Sequence, residues 1–223
     1  VLFESCASGG GRFDPGMLYY APQGWVSDDS DAVERLKIQY GTSMCYPLSS
    51  MGSHVSVIPN HQVFRNTPLH TRANVAYFGT FGYELDLNKL SDAEIEEVKA
   101  QIRFMKEYRE LLQFGTFYRL KSPFNGNETV WMVVSEDKSK ALVGYYRVLN
   151  GVNLPYSCVK LQGLDPDKLY ENELANTKHY GDELMNLGLI TTDVSAGEVP
   201  QGAEPCTDFE SRIYLLKEKQ STN

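Results

Sequence analysis

Ser27-Asp28-Asp29-Ser30-Asp31-Ala32-Val33-Glu34-Arg35-Leu36-Lys37-Ile38-Gln39-Tyr40, followed by Ser53-His54-Val55-Ser56-Val57-Ile58-Pro59, decides the fold. The first stretch reads as a polar loop feeding a helix from Ala32 to Tyr40, and the second as a β-branched strand. Upstream, Val1-Leu2-Phe3-Glu4-Ser5-Cys6 is a short apolar run. Downstream, Thr71 to Asp86 (TRANVAYFGTFGYELD) is read as another strand-like run. The alternation points to βα units. A long helix is expected from Ser91 to Tyr118, because Ser91 and Glu94 form a capping box and Ile95, Val98, Ile102, Met105 and Leu112 recur on one face.

From about Leu120 the texture changes. ETVWMVVSED, KALVGYYRVL, YSCVKL, KLYENE and FESRIYLLKEK are strand-length runs, punctuated by Asn-Gly and Asp-Pro turn signals. So many short strands favour an antiparallel β-sandwich over residues 120–223, after an α/β region over residues 1–119. Lys217 to Asn223 reads as a solvated tail. The fold class expected is therefore α/β plus all-β.

The 223 residues carry 21 Lys and Arg against 29 Asp and Glu, a net charge of −8, which argues against a binder of nucleic-acid phosphates. No run approaches the roughly 18 apolar residues of a membrane span, and no signal-peptide pattern is seen, so no membrane partner is expected and the working location is cytoplasmic. Cys6, Cys45, Cys158 and Cys206 contain no CxxC pair. Free thiols are expected, with no metal site and no cofactor. Because the chain opens at Val1 in the middle of an apolar run, a fragment is expected.

Three segments carry candidate chemistry. In Ser5-Cys6-Ala7-Ser8-Gly9-Gly10-Gly11-Arg12, three glycines allow close approach of backbone to a ligand or a tight strand-to-helix turn; no phosphate-loop pattern is present. In Trp25-Val26-Ser27-Asp28-Asp29-Ser30-Asp31, at least one aspartate suits a helix N-cap. The other reading is a carboxylic acid beside an indole, where Trp25 desolvates the acid and offers an apolar platform to a sugar ring. In the third segment His54 is expected before a strand and His61 after it; a spacing of seven along a strand points side chains to opposite faces, which disfavours a shared metal. Arg65, His70 and Arg72 read as loop or strand-end polar groups.

Taken in order, ESCASGGGRFDPGMLYY, QGWVSDDSDAVERLKIQYGTS, MGSHVSVIPNHQ and TPLHTRANVAYFGTFGYELDL resemble the C-terminal half of glycoside hydrolase family 36 α-galactosidases of microbial type. The resemblance implies the C-terminal part of a (β/α)₈ barrel, with its site at the carboxyl ends of the strands, closed by a β-sandwich. It implies removal of terminal α-linked galactose from oligosaccharides such as melibiose and raffinose, with retention. Carried over by motif, Asp28 is the acid/base and Asp29 the weaker candidate. Trp25, Ser27, Cys6, Gly9 and Gly10 border the galactose, and Arg12 organises the loop. The family also implies a homo-oligomer, a tetramer in full-length members. The nucleophile block of the family, Lys-Trp-Asp, occurs nowhere in this chain. The catalytic pair is thus incomplete, and the chain is expected to be inactive alone.

Two other readings are open at this stage. One is a galactosyl-transferring, raffinose-synthase-like enzyme. The other is a non-catalytic carbohydrate-binding or assembly module using Trp131, Tyr145, Tyr146 and Tyr156.

Overall fold

The computed structural model describes residues 1–6, 9–152, 157–191 and 207–219. Ala7, Ser8, Tyr156 and Cys206 lie outside the described residues, as do residues 220–223 of the expected tail. The chain divides into two units, Val1–Phe114 and Gly115–Asn223.

The first unit is built from β1 (Glu4–Ser5), β2 (Gln23–Trp25), α1 (Ala32–Thr42), β3 (Met51–Ser56), α2 (Leu69–Ala76), β4 (Thr80–Glu84) and α3 (Asp92–Phe114). Its four strands form one parallel sheet in the order β1-β2-β3-β4. Parallel neighbours need a crossover, and α1 and α2 supply two of the three. All four carboxyl ends therefore share one edge, where Cys6 and the loop Ser27–Asp31 emerge.

Local chemistry starts α1. The Asp31 carboxylate accepts the backbone N–H groups of Val33 and Glu34 at 3.0 and 3.1 Å, satisfying two donors that the first turn leaves orphaned. The buried face of the helix carries Ala32, Val33 and Leu36, and also Arg35 and Gln39. Gln39 donates from Nε2 to the carbonyls of Val75 and Phe78 and accepts the Ser53 hydroxyl at 2.9 Å, tying α1 to β3 and to the end of α2.

Two expectations change here. The run Thr71 to Asp86 is not one strand: Leu69–Ala76 is helical and only Thr80–Glu84 is extended. Pro68 precedes the helix, and Leu69, Arg72, Ala73 and Ala76 fall on one buried face, which a reading by β-branched content misses. The long helix ends at Phe114 rather than Tyr118. Beyond Gly115, residues Thr116, Phe117 and Tyr118 pair in β5 with Val134, Val133 and Met132. The helix start stands as read, with the Ser91 amide and hydroxyl both donating to Glu94 at 2.8 and 2.7 Å.

The second unit contains β5 (Thr116–Lys121), β6 (Glu128–Val134), β7 (Lys140–Arg147), β8 (Cys158–Val159), β9 (Leu169–Asn172), β10 (Thr177–Tyr180), α4 (Gly181–Asn186), β11 (Leu189–Ile190) and β12 (Glu210–Glu218). Six strands make an antiparallel sheet in the order β10-β9-β12-β7-β6-β5, and β11 pairs with β8. One face packs Val130, Met132, Val143, Tyr145, Tyr214 and Leu216 against Val159, Leu161, Leu184 and Leu189. On the opposite face Trp131 and Tyr146 are also buried, with the indole N–H donating to the Tyr146 hydroxyl at 3.0 Å. Both faces of β6 and β7 are thus covered. Lys217 and Glu218 belong to β12 rather than to a tail.

Candidate active site

The loop Ser27–Asp31 leaves the carboxyl end of β2 and enters α1, and it sorts three neighbouring aspartates by what their carboxylates do. Asp31, 1% exposed, caps α1 and pairs with Arg65. Asp29 accepts the backbone N–H of Asp31 at 3.0 Å, while its own amide donates to the Ser27 hydroxyl at 3.1 Å. Asp28 caps neither end of the loop. Its side chain is 71% exposed and meets the Arg12 guanidinium at 3.6 Å. Arg12 in turn donates to the Trp25 carbonyl at 2.9 Å, so it spans the base of the loop. Of the three carboxylates, Asp28 is the one that local structure leaves available for chemistry.

Beneath this loop lies a packed layer. The Trp25 ring sits 4.5 Å from the His54 ring and is itself buried. The register explains the fit, because Trp25 is level with Gly52 on β3 and His54 is level with Gly82 on β4. A β-carbon at Gly52 would fall 2.8 Å from the indole, and one at Gly82 would fall 2.7 Å from the imidazole. Each large ring therefore occupies space that a side chain on the next strand would take. Burial, and then the nearby Arg35 cation, lower the pKa of His54.

Arg35 closes the layer from α1. It is 2% exposed, its carbon Cζ lies 4.5 Å from the Trp25 ring centroid, and its pKa is lowered to about 10 by burial despite the acidic neighbours. It remains charged at neutral pH.

The expected acid-beside-indole pair does not form. The Trp25 faces are taken by His54 and Arg35, whereas the Asp28 carboxylate turns to Arg12 and solvent. His54, expected before a strand, lies within β3, whereas His61 follows the strand as expected and is exposed in the next loop. Cys6 is exposed directly after β1, and Gly9 and Gly10 open the 3₁₀ turn Gly9–Phe13 that delivers Arg12. Arg12, Trp25, Ser27 and Asp28 are thus joined by direct contact or by one loop, Gly9 and Gly10 reach them through the turn, and Cys6 follows β1 at the same edge of the sheet. Arg35 is the member of the site that sequence reasoning misses. Its signal is an arginine at a core position of the Ala32-Leu36-Gln39 face.

Among the described residues no group of three or more His, Cys, Asp or Glu side chains is placed to hold a metal ion, and no helix is long and apolar enough to cross a membrane.

Residues 1–115 match the Melibiase family model, and residues 128–216 match the glycosyl hydrolase family 36 C-terminal domain. The chain belongs to the melibiase family of glycosyl hydrolases, with a family 36 C-terminal domain. The α-galactosidase AgaA of Geobacillus stearothermophilus is 59% identical over 220 residues, covering 99% of this chain and 28% of that protein. The α-galactosidase Mel36A of Lactobacillus acidophilus is 52% identical over 217 residues, covering 97% of this chain and 28% of its own length. A crystal structure of an AgaA variant in complex with raffinose superimposes with a TM-score of 0.90 at 52% identity, covering 98% of this chain and 29% of that one. The chain thus spans between a quarter and a third of the length of these relatives.

Proposed function

We propose that this melibiase-family chain supplies the acid/base side of a retaining α-galactosidase site, with Asp28 as the acid/base. The observation that carries the reading is the division of labour in the loop after β2: Asp29 and Asp31 are committed to backbone N–H groups, and Asp28 is turned outward. In a retaining mechanism a second carboxylate attacks the anomeric carbon while Asp28 protonates the departing glycosidic oxygen. Asp28 then takes a proton from water, which attacks the galactosyl–enzyme bond and releases galactose. The two carboxyl groups of such a pair lie roughly 5–5.5 Å apart. The nucleophile belongs to sequence outside this chain, so the chain alone is inactive.

On this reading the four-stranded parallel unit is the C-terminal part of a (β/α)₈ barrel, the antiparallel unit is a β-sandwich that follows it, and the site lies at the shared carboxyl edge. Ser27, Cys6 and the backbone at Gly9 and Gly10 border the sugar, and Trp25, covered by His54 and Arg35, supports the loop beneath them. The substrate class is oligosaccharides with a terminal α-linked galactose, melibiose and raffinose among them. A module that binds carbohydrate through the second unit is not favoured, since Trp131, Tyr145 and Tyr146 are 1% exposed or less and present no ring face to a ligand.

The test is a hybrid enzyme in which this chain replaces the matching segment of Geobacillus AgaA. Raffinose hydrolysis followed by proton NMR is expected to release α-galactose first, before mutarotation. Initial release of β-galactose would refute retention, and transfer of galactose from galactinol to sucrose in place of hydrolysis would reassign the enzyme as a transferase.

A further inference from the structure

Asp28 sits on a loop, and a general acid that drifts by an ångström loses most of its effect. Something must hold the backbone on both sides of it. Arg35 Nη2 donates to the Ser27 carbonyl at 2.8 Å and Nε donates to the Asp29 carbonyl at 2.7 Å, so the residues flanking Asp28 are gripped by one planar group. Nη1 donates to the Gly52 carbonyl at 2.9 Å, which anchors the same guanidinium to β3. The Trp25 ring lies across its face at 4.5 Å. These three carbonyls and the ring hold the guanidinium from three directions in its plane and from one face, and burial makes each bond from a charged donor worth more than at the surface.

We infer that Arg35 is a positioning residue for the general acid, locking the Ser27–Asp29 backbone to β3 so that the Asp28 carboxyl is aimed at the glycosidic oxygen. The inference rests on the assignment of Asp28 as the acid/base. It goes beyond a stabilising role because the clamp closes on the two neighbours of one catalytic carboxyl. A lysine cannot reproduce it, since a single ammonium lacks the fixed fork that meets three carbonyls in different directions.

A positioning role has a signature that a purely structural one lacks. Assistance by the acid matters greatly when the leaving group is a sugar alkoxide and little when it is p-nitrophenolate. The experiment compares kcat/KM for melibiose and for p-nitrophenyl-α-galactoside in the hybrid enzyme and in its Arg35→Gln, Arg35→Lys and Asp28→Asn variants. Arg35→Gln is expected to lose about 10²-fold on melibiose and less than about 10-fold on the aryl galactoside. Arg35→Lys is expected to lose about 10-fold on melibiose and almost nothing on the aryl substrate.

Equal losses on both substrates, or none, in either Arg35 variant while Asp28→Asn keeps its leaving-group dependence would overturn the positioning role and leave Asp28 standing. An Asp28→Asn variant with no leaving-group dependence would overturn the acid/base assignment, and this inference with it. If Arg35→Gln does not fold, Arg35→Lys decides; if neither folds, Arg35 serves the fold and the positioning role is wrong.

Discussion

In the hybrid enzyme, Asp28→Asn is expected to lower kcat/KM on melibiose by about 10²–10⁴-fold, the usual contribution of a positioned general acid. The substitution removes the proton to be donated and keeps the size of the side chain. Little folding stability is at stake, because the Asp28 side chain is 71% exposed and its ion pair to Arg12 is 3.6 Å long. Asp29→Asn provides the contrast. Its carboxylate accepts the Asp31 amide, so the change weakens the entry to α1 and is expected to act through stability, with a much smaller effect on kcat. Steady-state kinetics on both variants, with thermal melts beside them, check the pair of expectations. A larger loss of kcat in Asp29→Asn than in Asp28→Asn would exchange the two assignments.

Trp131→Ala is expected to cost about 3–5 kcal/mol of folding stability, the range for removing a large aromatic ring from a packed core. The indole is completely buried, packs edge-on against Tyr146 with ring centroids 5.2 Å apart, and also meets the Phe117 ring at 6.2 Å. Truncation leaves a cavity and removes the N–H that the Tyr146 hydroxyl accepts. Trp131→Phe keeps most of the volume but loses the hydrogen bond and part of the ring packing, and is expected to cost about 1–2 kcal/mol. Denaturant unfolding followed by circular dichroism reads both. A Trp131→Ala midpoint within error of the parent would mean that this face of β6 is not a packed core.

How legible the fold is in the sequence depends on which interactions are local. The helix from Asp92 is readable because its start is a capping box within four residues, and the aspartate that caps α1 is expected among three candidates for the same reason. The end of the long helix is not readable from its own residues: Phe117 and Tyr118 leave the helix because Val133 and Met132, far along the chain, offer strand partners. The same holds for the second unit, where the strands are legible as runs between turn signals but the covering of both faces of β6 and β7 is not.

Within the site, Asp28, Trp25 and Arg12 are legible in the sequence, but Trp25 is joined there to the wrong partner. An indole three residues from a carboxyl looks adjacent in sequence, whereas the parallel register sets it level with Gly52 and stacks it on His54. Arg35 is marked in the sequence only by its place on the buried face of α1, because its partners are backbone carbonyls, which leave no mark on the sequence.

On the proposed function, this chain holds the acid/base and not the nucleophile of an α-galactosidase site. The most direct test is release of p-nitrophenol from p-nitrophenyl-α-galactoside by the chain alone and by the hybrid enzyme, at equal molar concentration. No turnover above background by the chain and ready turnover by the hybrid is the predicted result. Turnover by the chain alone, at a rate comparable with the hybrid, would contradict it and would place a nucleophilic carboxylate within these residues.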